Sequence, residues 1–280
     1  KLYPISSNSR IRNRGECEIN FYQYLLSSGV SNVPVLVDFD SDYHWSLISW
    51  LSGKRLVCFN NDELFQVASF IRDLNTPKYL HHRQLLEPAS DSCCSLPQVL
   101  DSINRRFLQF QRVNPQSQVE RDALSFIHYQ IYPYYQLFSD KLLALSNSFY
   151  WSKAQLLPVA SPSDIGIHNL LSSSGLLYFF DFEYAGLDDL SKLVTDFVIH
   201  PEFPLSDSHF HFFVDSISSM VPGADNPNWL KRVNDLLNIF VAKWSLILLN
   251  DLHSNTLTFS KFKKSESYFH FMINSSLIPT

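Results

Sequence analysis

The stretch that most constrains this chain is 161–183. A polar loop, SPSDIGIHN, ends at Asn169 and runs into a short apolar stretch, then a Ser/Gly-rich turn at 172–175. A second apolar run follows and ends at Asp181-Phe-Glu183. Two short apolar runs around such a turn predict a β-hairpin, with strands over 169–171 and 176–182. The apolar run 176–180 then anchors Asp181 rigidly, at a fixed distance along the chain from the loop that carries Asp164 and Asn169.

Those three residues suit one kind of chemistry. Phosphoryl transfer needs a carboxylate that orients or deprotonates the attacking hydroxyl, and oxygen ligands that hold a magnesium ion against nucleotide phosphates. Asp164 and Asn169, five residues apart in one tight loop, supply a base and an amide oxygen, and Asp181 supplies the second metal ligand after eleven intervening residues.

The rest of the chain reads as a small α/β part followed by a larger, mainly helical one. Residues 1–3 form the stub of a strand. A helix is predicted over 12–28, with Ile19, Tyr22, Leu25 and Leu26 at helical spacing and Gly29 just past its end. Strands follow over 33–39 and 45–51, with a turn at 40–42. Helices are expected over 62–74, within 91–115, over 119–145 with a break near Pro133, and over 228–252, with a short strand at 156–160.

A chain of 280 residues, 45% hydrophobic and 18% charged, can bury a sizeable core. Only 7 glycines stand beside 23 Phe, 13 Tyr and 5 Trp, which favours a rigid interior. The net charge of −5 argues against nucleic acid as a partner. The longest apolar run, 236–249, is interrupted by Lys243 and is too short to span a membrane. Cys17, Cys58, Cys93 and Cys94 show no zinc spacing, and adjacent Cys93 and Cys94 read as reduced thiols, which fits a cytoplasmic protein.

Asp164, Asn169 and Asp181-Phe-Glu183 resemble the aminoglycoside phosphotransferase and choline kinase-like family, whose pattern is H-x-D-x-x-x-x-N, a hydrophobic strand and then D-[FW]-[ED]. The stretches 161–169 and 181–201 together look like an uncharacterised bacterial subgroup of it. The resemblance implies an α+β, two-lobed protein-kinase-like fold. Its small α/β N-lobe, over 1–54, would be truncated, and the large mainly helical C-lobe would span 55–280. By the same resemblance Lys1 contacts nucleotide phosphates and Glu18, with Glu16 as the alternative, pairs with it. Ser49, Trp50 and Leu51 border the adenine.

The chain also departs from the family pattern. Pro162 stands where the first motif histidine is expected. Asp189 is followed by Leu190 rather than proline, and Leu193 replaces a second Asp, whose bracing role Asp196 is expected to assume. The family places two strands and a phosphate-covering loop before the lysine strand, so the sequence given is expected to be a piece that lacks half the nucleotide roof.

Less specific features carry two readings each. His168 either contacts phosphate or substrate, or braces its loop. Glu183 either supports the metal or is a plain surface carboxylate. Glu18 is either an ion-pair partner or part of a solvated helix face. Asp189 and Lys192 are expected to form an exposed salt bridge worth about 0–1 kcal/mol. His209 and His211 are expected on one side of a strand, as structural histidines rather than a metal pair, and 81–83 (HHR) as a solvated helix end. The expected activity is transfer of the γ-phosphate of ATP or GTP, with Mg²⁺, to a hydroxyl of a sugar, amino sugar or amino alcohol. The alternatives are a pseudokinase that binds nucleotide without turnover, and a metal-dependent phosphatase.

Overall fold

The computed structural model describes residues 1–3, 13–76, 86–92, 95–152 and 156–279. The expectations for Cys93, Cys94 and the 81–83 helix end fall outside these residues. The chain forms two compact units. One comprises Lys1–Ser92, Leu157–Val198 and Glu202–Pro227, and the other Cys93–Leu156, Ile199–Pro201 and Asn228–Thr280.

Among the described residues, the first unit contains three small antiparallel sheets. Strands β1 (Leu36–Phe39) and β2 (Ser46–Ile48) pair as a hairpin. Residues 1–3 lie along β2, with the Tyr3 amide donating to the His44 carbonyl at 2.9 Å and the Ser46 amide to the Lys1 carbonyl at 3.0 Å. Helix α1 (Arg14–Ser27) is capped by the Asn13 side chain at 3.2 Å. It closes as a Schellman turn, with Gly29 at φ 66° and bonds from the Gly29 amide to Leu26 O and from the Val30 amide to Leu25 O.

Strand β3 (Lys54–Arg55) pairs with β5 (Leu170–Ser173), which pairs with β6 (Leu176–Phe179). The hairpin expected from the sequence is therefore present. Gln66 of helix α2 (Asn61–Leu74) clamps its turn, donating to Gly175 O at 3.0 Å and accepting from the Leu177 amide at 2.8 Å. Phe70 of α2 stacks on Phe179 at 3.9 Å between ring centres. Strand β4 (Pro158–Ser161) pairs with β7 (Gly186–Asp189), so the two chain segments that flank the hairpin are tied together. Asn75, just past α2, pairs with β4 as a strand would: its Oδ1 accepts from the Ala160 amide at 2.8 Å and its Nδ2 donates to Ala160 O at 3.1 Å.

Helices α6 (Leu190–Val198) and α7 (Asp207–Met220) complete this unit, and α7 packs on α2. Two expectations are corrected here. His209 and His211 lie on α7, not on a strand. Ser206 caps that helix by accepting from the His209 amide at 3.3 Å, and residues two apart on a helix point to different sides. Lys192 is buried, not exposed, and its partners are Asp188 at 2.7 Å and Asp196 at 3.2 Å. Asp196 lies one turn along α6 from Lys192, on the same side of the helix, and Asp188 reaches the ammonium from β7. Asp189 is buried too, accepting from the amides of Leu157 at 2.9 Å and Ser191 at 3.0 Å, which caps α6 and holds the entry to β4.

The second unit is helical. It contains α3 (Leu96–Phe110), α4 (Gln118–Phe126), α5 (Tyr132–Ala144), α8 (Asn228–Leu248) and α9 (Phe259–Ile273). The break expected near Pro133 is a five-residue π-helical segment, Ile127–Ile131, between α4 and α5. Proline lacks an N–H and its ring crowds the carbonyl four residues earlier, and the wider π turn relieves both. Wholly buried Arg232 of α8 donates to Tyr150 O at 2.9 Å, and Trp151 Nε1 donates to Asp235 at 2.9 Å. Among the described residues no helix is long and apolar enough to cross a membrane.

Candidate active site

Strand β4 delivers the chain into a loop that is braced by its own polar groups. Ser161 Oγ accepts from the Ser163 amide at 3.0 Å, and the Asp164 amide donates to Pro162 O at 2.8 Å. Asp164 Oδ1 accepts from the Gly166 amide at 3.3 Å, and the Asn169 amide donates to Gly166 O at 2.9 Å. Finally, Asn169 Nδ2 donates to Asp164 O at 3.1 Å. Ser163 adopts a left-handed conformation, φ 67°, which turns the chain immediately before Asp164. A loop tied at this many points holds Asp164 without a side-chain hydrogen bond from position 162.

Asn169 and Asp181 come together because they flank one hairpin. The Phe180 amide donates to Asn169 O at 3.2 Å, extending the β5–β6 ladder by a rung, and Asp181 is the next residue. Asp181 is also left-handed, φ 67°, a conformation that Asp tolerates better than most residues. Its side chain is 40% exposed, whereas Phe182 is buried against Phe21 and Tyr22 of α1. Since Asn169 commits its Nδ2 to the loop, its carbonyl oxygen is the end left to face a cation. One amide oxygen and one carboxylate are hard oxygen donors that suit Mg²⁺, which keeps several of its waters.

Lys1 sits among carboxylates. Its Nζ is 2.8 Å from Glu18 Oε2, 3.4 Å from Glu183 Oε2, and hydrogen-bonded to Asp181 Oδ1. Burial pulls the Lys1 pKa down, but the Glu18 charge and the hydrogen bonds to Asp181 and Glu18 more than offset it, leaving the ammonium more firmly protonated than usual. Glu18 is buried, and its Oε1 accepts from the Phe182 amide at 3.1 Å. Of the two glutamates considered on α1, Glu18 is therefore the one at Lys1. Glu183 is in the same network, 3.0 Å from Arg14 Nη1, and is not a plain surface carboxylate.

His168 braces Asp164. Its Nε2 is 3.3 Å from Asp164 Oδ2, and its Nδ1 is 2.9 Å from Glu202 Oε2. The hydrogen bond to Asp164 raises the imidazole pKa, against the pull of burial and with the charges of Asp164 and Glu202 adding to it. Ser49, Trp50 and Leu51 follow β2. Ser49 is tied to Val35, just before β1, by two 2.8 Å hydrogen bonds, and Trp50 is 90% exposed.

Four residues in this region were not singled out by sequence reasoning: Tyr3, Arg14, Ser46 and Glu202. Tyr3 carried a signal, because it is two residues from Lys1 in an extended segment and so shares its face. Glu202 carried none, being 34 residues from His168.

No protein-family model matches the chain. In sequence, a stretch of 91 residues is 35% identical to a UDP-glycosyltransferase (76C4) of Arabidopsis thaliana. It covers 32% of this chain and spans about one fifth, 20%, of that protein's length. Solved structures resemble nearly the whole chain. A Plasmodium vivax ethanolamine kinase superposes over 96% of this chain and 74% of its own, with TM-score 0.62 and 11% identity. A spectinomycin phosphotransferase in complex with ADP and spectinomycin does so over 94% and 83%, with TM-score 0.63 and 14% identity. A choline/ethanolamine kinase family protein from Mesorhizobium loti covers 99% and 81%, with TM-score 0.60 and 14% identity. At such identities the likeness establishes the fold: this is an α+β chain of the protein-kinase-like kind, with small sheets and a large helical part.

Proposed function

We propose that this chain is the catalytic part of a small-molecule kinase that transfers the γ-phosphoryl group of ATP to a hydroxyl of a sugar, amino sugar or amino alcohol. The observation that carries the reading is the joint placement of Asp164, Asn169 and Asp181, on a self-braced loop and the adjoining end of one hairpin. That the similar structures include an ethanolamine kinase and a spectinomycin phosphotransferase supports the same class of reaction.

In this reading Asp164 accepts a hydrogen bond from the acceptor hydroxyl and takes its proton as the oxygen bonds to the γ-phosphorus. The bond from that phosphorus to the bridging oxygen breaks, and ADP leaves. His168 and Glu202 hold the Asp164 carboxylate in one orientation. Asn169 and Asp181 would hold Mg²⁺, which would supply positive charge that offsets the charge of the nucleotide phosphates. Lys1 now lies against Asp181. With nucleotide present it turns to the phosphates, while Glu18 keeps it within reach. Ser49, Trp50 and Leu51 are proposed to border the adenine, and Glu183 to support Asp181 through Lys1.

The test is ADP formation from Mg-ATP across a panel of hydroxyl acceptors. Acceptor-dependent ADP release that Asp181→Ala lowers by orders of magnitude supports the assignment, and an Asp181→Ala enzyme as fast as wild type refutes it. Tight Mg-ATP binding with no turnover on any acceptor would instead favour a pseudokinase, and phosphate release without nucleotide a phosphatase.

A further inference from the structure

Glu18 carries more than the Lys1 contact. The Tyr3 hydroxyl reaches the same carboxylate oxygen, Oε2, at 2.7 Å, and lies 2.7 Å from Ser46 Oγ on β2. Chemistry fixes the direction of both bonds. An ionised carboxylate only accepts, so Tyr3 donates to Glu18, and its hydroxyl then accepts from Ser46. Burial, with the Glu18 charge adding to it, pushes the Tyr3 phenol pKa up, so the hydroxyl keeps its proton and remains a donor. Ser46 and Glu18 are both buried, which makes an unmet partner at either end costly.

The surroundings are shaped to admit the Tyr3 ring. A Cβ on Gly15, in the first turn of α1, would lie 2.7 Å from Tyr3 Cδ2 and 2.0 Å from the Tyr43 carbonyl oxygen. Glycine is disfavoured in a helix relative to alanine, and here its bare Cα lets α1 approach the ring and the β1–β2 turn together. The approach places Glu18, one turn on, under the hydroxyl.

We infer that Tyr3, held by Ser46, is a positioning residue that keeps the Glu18 carboxylate aimed at Lys1 when Lys1 exchanges Asp181 for nucleotide phosphate. Lys1 is the ligand that moves in this exchange. Tyr3 and the Phe182 amide are the two donors that stay, one on each oxygen of Glu18. Without Tyr3, Glu18 depends on Lys1 alone at Oε2 and the carboxylate follows the lysine. This inference rests on the nucleotide-binding reading of Lys1.

The experiment is a double-mutant cycle on Mg-ADP affinity in the full chain: wild type, Tyr3→Phe, Glu18→Gln and the double variant. Phenylalanine keeps the ring against Gly15 and removes only the hydroxyl. Tyr3→Phe is expected to weaken Mg-ADP binding about tenfold in the wild-type background, and less than about twofold when Glu18 is already Gln. Ser46→Ala should show the same background dependence with a smaller loss. Equal losses in both backgrounds, or none in the first, overturn the positioning role. If the wild-type chain binds no Mg-ADP, the kinase reading falls on its own, and the same four chains are compared by urea midpoint. Non-additive midpoints then support the Tyr3–Glu18 hold, and additive ones overturn it.

Discussion

Lys192 offers the sharpest test of how this fold is held beneath its loop. It is 2% exposed, 2.7 Å from Asp188 and 3.2 Å from Asp196, whose side chains are themselves 0% and 6% exposed. Replacing Lys192 with Met fills much of the same space and removes the only charge of its sign in that set of three. Two buried carboxylates then lose the cation they share. Losing one partner of a buried ion pair costs about 3–5 kcal/mol, much of it the penalty of the charge left behind. A second outcome separates charge from packing. If the cost is electrostatic, the variant that also carries Asp188→Asn and Asp196→Asn recovers most of the lost stability, since neutral groups of the same shape need no counter-charge. Urea unfolding followed by far-ultraviolet circular dichroism reads all three chains. A Lys192→Met chain within about 1 kcal/mol of wild type, or a triple variant no more stable than Lys192→Met, would refute the argument. Because β7 ends in Asp188 and Asp189 and pairs with β4, the same damage should reach the Asp164 loop.

Two further outcomes follow from particular contacts. Asn75→Ala removes both hydrogen bonds to Ala160 and leaves that buried backbone pair unmet, so it should cost about 2 kcal/mol, read as a lowered urea midpoint. Burial raises the Asp235 pKa, with hydrogen bonds from Trp151 and Tyr150 opposing it. Its folded form therefore binds a proton more tightly than the unfolded chain, and stability falls as pH rises from the ordinary carboxylate value through the raised one. Asp235→Asn still accepts from Trp151 and should be more stable than wild type at pH 7. The difference should vanish below about pH 4 in thermal melts, and a less stable Asn chain at pH 7 contradicts it.

Much of the architecture is written in local signals. The hairpin follows from two apolar runs around a polar turn, and α1 from apolar spacing with Gly29 at its end. The loop was legible because its residues bond to one another over nine positions, 161–169, so spacing alone reports their proximity. The failures have equally specific causes. His209-Phe-His211 alternates as a strand does, but Ser206 at the cap and Asp207 in the first turn are helix-start signals that outweigh three residues of alternation. Lys192 looked solvated because charged residues usually are, yet its spacing of four from Asp196 already placed an opposite charge beside it on α6, while Asp188 reaches it from β7. Glu202 and Arg14 are joined to the site only by tertiary contacts, which no local pattern encodes.

The central claim is that Asp164 serves the transfer of phosphate to a hydroxyl. The most direct measurement is the rate of ADP formation from Mg-ATP, with an acceptor that the wild-type chain phosphorylates, in wild type and Asp164→Ala. Mg-ADP affinity is measured alongside on both chains. The account predicts that kcat falls by about 10²–10⁴ while Mg-ADP affinity stays within about threefold, because the proposed role puts Asp164 on the acceptor and not on the nucleotide. An Asp164→Ala chain that turns over at the wild-type rate would contradict it.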